Sequence, residues 1–260
     1  MTDRTFIWLA LVCYAAAGGL TLWRLRGKGA HPLVYTLMLV GFVLQTAFLY
    51  LRGQNLQRCP LTNSFETTVF IAWAAALFYL LIGAAYRVSF LGAFTAPLTL
   101  ALGLIALLGL NDLPRVTPLS RSAWVDFHAA IAILAYGAFG LAFVTGVMYL
   151  VQERQLKSRK LGASFLLLPP IEQLDVINYR LVLLGFIMLT AGMIGGFVSY
   201  RIVGHWSAPK IAWVVVVWFL YGSLIAARWL WSVRGRRSAL VSVLSFTFVL
   251  VAYWGLSALQ

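Results

Sequence analysis

Residues 67–86 read TTVFIAWAAALFYLLIGAAY, a stretch of 20 residues without a charged side chain. A helix rises about 1.5 Å per residue, so a stretch of this length crosses a hydrocarbon core of roughly 30 Å. Apolar runs of similar length recur along the 260-residue chain. They predict an all-α, polytopic integral membrane protein, a bundle of about eight transmembrane helices. The predicted spans are 5–23, 32–51, 64–86, 89–110, 128–152, 178–199, 211–233 and 239–258.

Composition excludes a water-soluble enzyme. The chain is 62% hydrophobic and 10% charged, with a mean hydropathy of +0.89, which leaves too little polar surface for a soluble globule. The gaps between spans are shorter than a separate domain of about 50 residues. We therefore expect one transmembrane domain over 1–260. The first run lacks a basic n-region and is followed by Arg24, Arg26 and Lys28, so we expect a retained span and not a cleaved signal.

The basic residues predict the orientation. Of 20 Lys and Arg, 13 lie at the ends of spans one, three, five and seven, and seven lie on the side that carries both termini. Because cytoplasmic loops are enriched in Lys and Arg, we expect both termini outside the cytoplasm. The net charge of +13 is accounted for by this topology, and we expect no nucleic-acid partner.

Histidines near the outer ends of the spans are the first candidates for chemistry. The chain has no Walker loop, hydrolase elbow or HExxH motif, and its two cysteines form neither CxxC nor CxxCH. His128 follows Trp124 and should begin helix five, which is rich in Ala and Gly and leaves room for a flat ligand. A neutral imidazole ligates heme iron and aromatic rings stack on porphyrin. The alternative is an ordinary interfacial histidine in an aromatic belt.

A second histidine lies on the same predicted side. His205 directly precedes Trp206, and Trp213 follows in the next span. We expect His128 and His205 to be candidate iron ligands, with the three tryptophans lining the site. The aromatic belt remains the alternative here as well.

Glu66 is the acid closest to entering an apolar span. An acid costs about 2.5 to 3.5 kcal/mol at the bilayer centre and less at the interface, so Glu66 should face the bundle or water. We expect it to cap helix three or pair with an outer arginine, or else to organise a ligand cavity.

Several short motifs occur in order along the chain. They are Pro60, Asn63 and Glu66; Gly92 and Pro97; Trp124, His128 and Tyr136; and Leu174-Asp175, Tyr179-Arg180, Gly185-Phe186, Leu189-Thr190, Gly192 and Gly196. Over about 58–240, this series resembles the cytochrome c assembly protein family, the heme-handling membrane proteins of c-type cytochrome maturation, with their smaller HemX-type relatives.

The resemblance implies a function. It implies that the protein holds or presents heme b at the outer face of a bacterial inner membrane, with His128 as an external ligand and Glu66 supporting the site. Heme, apocytochrome c and a companion membrane assembly subunit are the implied partners.

The sequence departs from the full synthetases of the family. Their Trp-Asp-Pro-Lys segment is reduced to the stretch 205–210, HWSAPK, and two further family histidines are missing, one where Ala226-Ala227-Arg228 stands and one where Trp254-Gly255-Leu256 stands. We therefore expect an assembly factor rather than a stand-alone synthetase. Either His205 supplies the second imidazole or the sixth iron position stays open.

Two alternatives remain at this point. One is a HemX-type regulatory or scaffolding protein without synthetase activity. The other is a small-molecule transporter, with Glu66 and the glycines at 192, 195 and 196 along its pathway.

Overall fold

Eight α-helices form the part of the chain that the computed structural model describes, which is residues 2–24, 32–57, 59–61, 63–86, 91–109, 112, 123–158, 169–203 and 208–258. All eight are long and apolar enough to cross a membrane. The prediction of an all-α, multi-pass membrane protein is therefore confirmed. The helices are α1 (Thr2–Arg24), α2 (Pro32–Leu56), α3 (Ser64–Tyr86), α4 (Leu91–Gly109), α5 (Ala123–Ser158), α6 (Ile171–Val203), α7 (Ala208–Leu230) and α8 (Arg236–Ala258).

Most helices extend beyond their predicted spans, and only α3 matches its span at both ends. Helix α5 begins at Ala123, so His128 lies in its second turn and not at its start, and α6 begins at Ile171 instead of 178. Hydropathy detects only the part of a helix that lies in hydrocarbon, whereas backbone hydrogen bonding continues through the polar interface. Helix α7 ends at Leu230, before the predicted 233, and Ser232 then has a positive φ of 50°.

The helices pack around α5, which contacts α3, α6 and α8, while α1 packs on α2 and α4. Helix α7 lies at the edge of the bundle against α6 and α8. We call the end of the bundle where α1 begins and α8 ends the terminal face, and the other end the opposite face. That the terminal face lies outside the cytoplasm stays a prediction.

Buried polar side chains tie α1, α2 and α3 together. The Tyr14 hydroxyl donates to Gln45 Oε1 at 2.7 Å, and Gln45 Nε2 donates to the Val69 carbonyl at 2.9 Å. Such a bond between membrane helices contributes about 0.6 kcal/mol on average. Its larger effect is directional, because it fixes the face that each helix turns inward.

A charged cluster ties three helices at the opposite face. The Asp175 carboxylate accepts hydrogen bonds from Arg228 at 3.0 and 2.7 Å and from the backbone N–H of Gly235 at 3.0 Å. The guanidinium also lies 4.4 Å from the centroid of the Tyr179 ring. Asp175 and Tyr179, two of the motif residues, thus hold the start of α6 against the end of α7 and the turn before α8.

Helices α5 and α6 meet along a seven-residue repeat. Asn178, Gly185, Gly192 and Ser199 are spaced by seven on α6. Asn178 Nδ2 donates to the carbonyl of Ala142 at 2.6 Å, and further along the same stripe the α-carbons of Gly185 and Gly192 face α5. A repeat of 3.5 residues per turn keeps one face of a helix on its neighbour over many turns. The repeat therefore defines the closest long contact of the bundle.

Glycine also permits the contact of α5 with α3. A Cβ at Gly137 would lie 2.8 Å from the carbonyl carbon of Ala74, so two backbones would have to separate.

We expect Gly137→Ala to lower the free energy of unfolding by about 1 to 3 kcal/mol, the usual cost of overpacking. The measurement is the loss of helical circular dichroism of the detergent-purified protein on titration with a denaturing detergent. Gly19→Ala on α1 is the matched control, because nothing lies within 4 Å of its added Cβ. Equal unfolding curves for the two variants would contradict the assignment of Gly137 to a close helix contact.

Candidate functional site

The predicted site residues lie on three helices of the terminal face. Trp124 and His128 are in the first two turns of α5, Glu66 is in the first turn of α3, and Trp213 is near the start of α7. His205 and Trp206 lie outside the described residues. Whether the second histidine approaches the first stays a prediction.

Glycine brings α6 directly against His128. A Cβ at Gly195 would lie 2.8 Å from the Cβ of His128, closer than real side chains approach each other. A Cβ at Gly196 would lie 3.7 Å from both Cδ2 and Nε2 of the imidazole. Gly195 therefore permits the close approach of α6 to α5 at His128, and Gly196 places no side chain beside Nε2.

A hydrogen-bond network joins His128 to α6. The Ser199 Oγ lies 2.9 Å from His128 Nδ1 and donates to the Gly195 carbonyl, also at 2.9 Å. The indole N–H of Trp124 donates to the same carbonyl at 3.3 Å. The structure thus places Trp124 and His128, one turn apart on α5, in one network with two residues of α6.

The other edge of the imidazole carries Nε2. Among the residues that the structure describes, no hydrogen bond involves Nε2. Trp124 and Phe127, beside it on α5, are 43% and 56% exposed, and their ring centroids lie 6.0 Å apart. Heme is a flat, largely apolar group. An imidazole nitrogen that lies next to exposed aromatic rings and a glycine backbone is therefore suited to bind heme iron as an axial ligand.

A cage for a free metal ion is a different kind of site. Within the described parts of the chain, no three His, Cys, Asp or Glu side chains converge. A single imidazole suits a metal whose remaining ligands come from its own macrocycle, as in heme.

Glu66 lies in a buried ion cluster. Its side chain is 0% exposed and accepts from Arg52 Nε at 3.1 Å. The Arg52 guanidinium also pairs with Asp112. The Asp112 carboxylate in turn forms a second ion pair with Arg4, at 2.7 Å. The expected pairing of Glu66 with an arginine is confirmed. The cluster joins the terminal-face ends of α1, α2, α3 and α4, and that this face is the outer one stays a prediction.

Glu66 also takes part in a helix cap. The backbone N–H of Glu66 donates to Asn63 Oδ1 at 2.7 Å, so Asn63 is the N-cap of α3. The expected capping role at this helix start is carried by the Asn63 side chain. Pairing and capping together account for the Asn63 and Glu66 motif without a ligand.

Trp213 lies deeper than His128. Its ring centroid lies 6.1 Å from that of Phe248 in the middle of α8, and Trp213 and Tyr136 of α5 pack against the same buried hydrophobic core. Tyr136 is about two turns further along α5 than His128, roughly 12 Å at the helical rise. Trp213 thus fills the seam between α5, α7 and α8, below the level of the histidine.

A groove lies beside the site on the terminal face. It has a volume of about 450 Å³ and is lined by the end of α2, including Tyr50 and Gln54, by Cys59 and Pro60, and by Asp126 of α5. Asp126 precedes His128 by two residues, so the groove opens next to the first turns of α5.

Sequence reasoning missed Ser199 and Asp112. Ser199 was detectable, because it is the next step of the seven-residue spacing that Asn178, Gly185 and Gly192 set on α6. Asp112 stands alone after α4, and no spacing relates it to Arg52. Only the packing of the helix ends brings them together.

We expect Arg52→Gln to destabilise the protein strongly, by about 3 to 5 kcal/mol, because it removes the cation from a buried pair. Arg4→Gln should cost about 0 to 1 kcal/mol, since its side chain is 56% exposed. Unfolding of both variants in detergent, followed by circular dichroism, measures the difference. A similar loss in both would show that burial does not distinguish the two arginines.

The chain is similar to known proteins over most of its length. The model of the family described as cytochrome C assembly protein matches residues 61–260. The cytochrome c biogenesis protein CcsA of Synechococcus sp. (strain CC9902) is 29% identical, with 96% of this chain and 91% of the relative covered. The protein of the same name from Prochlorococcus marinus (strain MIT 9303) is 26% identical, with 92% and 86% covered.

These similarities confirm the resemblance that the ordered motifs indicate. The matched region includes the histidine network of Trp124, His128, Gly195 and Ser199, and it includes the two acids of the ion cluster, Glu66 and Asp112. The chain belongs to the cytochrome C assembly protein family.

Proposed function

We propose that this protein acts in cytochrome c biogenesis by holding or presenting heme at the terminal face, with His128 Nε2 as a ligand to the iron. The observation that carries the proposal is that the two nitrogens of the imidazole have different surroundings. Nδ1 is engaged by Ser199, while Nε2 lies beside Gly196, which has no side chain, and forms no hydrogen bond with the described residues. The relatives named cytochrome c biogenesis protein CcsA support the same role.

Each residue of the network has a task in this proposal. His128 would bind the iron, and the exposed rings of Trp124 and Phe127 would pack on the porphyrin face. The bonds that attach heme to a cytochrome form between porphyrin and thiol groups, so the chemistry belongs to heme and its acceptor. The protein supplies a fixed position and an apolar surface.

The finer parts of the function are proposals as well. We propose heme b as the form bound, apocytochrome c as the acceptor, a companion membrane subunit, and the bacterial cytoplasmic membrane as the location. His205 and Trp206 follow the end of α6, the helix that carries Ser199. We propose His205 as the second imidazole, and Trp213 as a wall below the site.

Glu66 supports the site only indirectly in this scheme. Its pairing with Arg52 fixes the end of α2, which lines the groove next to Asp126. We propose that the ion cluster holds the terminal face in shape while His128 binds the ligand.

The transporter alternative loses its sequence basis. Gly192 and Gly195 are packed against α5, at distances that exclude even a methyl group. Glu66 is paired with Arg52. Both features are accounted for by helix packing, so neither is needed to form a pathway.

Absorption spectra of the detergent-purified protein test the proposal. We expect wild type to bind heme stoichiometrically, and His128→Ala to lose the Soret band because the iron loses its imidazole. His205→Ala should lose part of the absorbance if a second imidazole binds. His31→Ala is the control, since the sequence places that histidine on the opposite face.

All variants must have wild-type helical content by circular dichroism. A folded wild type that neither copurifies with heme nor takes it up on titration would contradict the proposal. Full heme binding by His128→Ala would contradict the assignment of the ligand.

Deletion of the gene in its host separates this function from a HemX-type regulatory role. We expect loss of c-type cytochromes, because apocytochrome would receive no heme. Altered heme synthesis with normal c-type cytochromes would favour the regulatory alternative.

A further inference from the structure

The side chain behind His128 is a buried hydroxyl. Ser199 is 5% exposed, and its Oγ lies 2.9 Å from His128 Nδ1 and 2.9 Å from the Gly195 carbonyl oxygen. A hydroxyl has one hydrogen to donate and two lone pairs that accept. The two contacts therefore cannot both be donations by Ser199.

The carbonyl contact determines the direction of the other one. A carbonyl oxygen only accepts, so the Ser199 hydrogen is directed to Gly195, in the common bond from a helical serine to the residue four positions earlier. Nδ1 must then carry a hydrogen of its own and donate it to Ser199.

We propose that Ser199 is a positioning residue, which holds His128 in the tautomer with hydrogen on Nδ1 and the lone pair on Nε2. This inference rests on the proposed function, because the lone pair matters only if Nε2 binds iron. Histidines that bind metals usually donate their other N–H to a fixed acceptor, which sets both tautomer and ring orientation. Here the acceptor is supplied by α6 across the glycine contact.

The two sides of the ring have opposite requirements, and the structure meets both. Ser199 approaches Nδ1 closely, whereas Gly196 places no side chain beside Nε2. Gly195 closes the helices and also provides the carbonyl that takes the Ser199 hydrogen. The stretch 195–199 of α6 thus fixes the orientation and tautomer of His128 in the ligand-free protein.

The tautomer is measurable in the heme-free protein. In samples with ring-¹⁵N histidine, the His128 signals, assigned by their loss in His128→Ala, should show a protonated Nδ1 and an unprotonated Nε2. We expect Ser199→Ala to shift the population toward hydrogen on Nε2, and Ser199→Thr, which keeps the hydroxyl, to restore the wild-type pattern. Wild type with hydrogen on Nε2 would overturn the inference without any variant.

Heme titration gives the second readout. Loss of the acceptor behind a metal-binding histidine typically weakens affinity about 10- to 100-fold, so we expect that loss in Ser199→Ala and recovery in Ser199→Thr. Ser223→Ala is the matched control, because Ser223 donates to the Leu220 carbonyl of its own helix at 2.8 Å and is exposed. It should bind heme as wild type does.

The outcomes separate the two proposals. An unchanged tautomer in Ser199→Ala, with heme binding still abolished by His128→Ala, overturns the role of Ser199 and leaves the proposed function standing. Heme binding that survives in His128→Ala overturns the proposed function, and with it the role of Ser199 toward heme.

Discussion

A bilayer interior offers no water to a polar group, and this constraint governs how the bundle is assembled. Gln45 meets it with both ends of its side-chain amide. Asn178 meets it in part, because its Nδ2 donates to the Ala142 carbonyl of α5 while its Oδ1 has no partner among the described residues. Lipid tails are as apolar as leucine, so hydrophobicity alone does not decide which face of a span turns inward. The polar side chains decide which face turns inward. Each hydrogen bond has a direction, and a buried donor or acceptor that is left without a partner costs free energy. The rotation of each helix about its own axis follows from them.

The rotation of α6 has the largest consequence. Asn178 anchors one end of the helix on α5, and the seven-residue repeat carries the same face through Gly185 and Gly192 to Ser199. The Asn178 bond and the Ser199–His128 contact are thus two ends of one stripe, about 32 Å apart at the helical rise. The small residues between these two contacts have two effects. They allow α5 and α6 to pack closely, and they bring Ser199 within hydrogen-bonding distance of His128. A bulky residue anywhere on the stripe would therefore affect the site at its end.

Hydropathy predicts the number of helices and most of their positions, because the length of an apolar run is imposed by the bilayer. It places the starts of α5 and α6 too late, since interfacial residues such as Trp124 and Asp175 lower the hydropathy of turns that are still helical. The residue type and the motif of His128 make it a candidate ligand, and that role stays a prediction. The pairing of Arg52 with Asp112 was not predictable, because it depends on how the end of α2 packs against the end of α4.

The chemistry of the acceptor behind His128 matters for a protein that has to pass its ligand on. A carboxylate in that place would raise the basicity of the imidazole and strengthen its bond to a metal. The Ser199 hydroxyl is neutral, so it orients the ring without adding a negative charge behind it. The hydrogen bond with Ser199 therefore fixes the orientation of the His128 imidazole without increasing its basicity. Under the proposed function, a fixed but moderately basic imidazole would hold heme in a defined orientation and still release it to an acceptor protein.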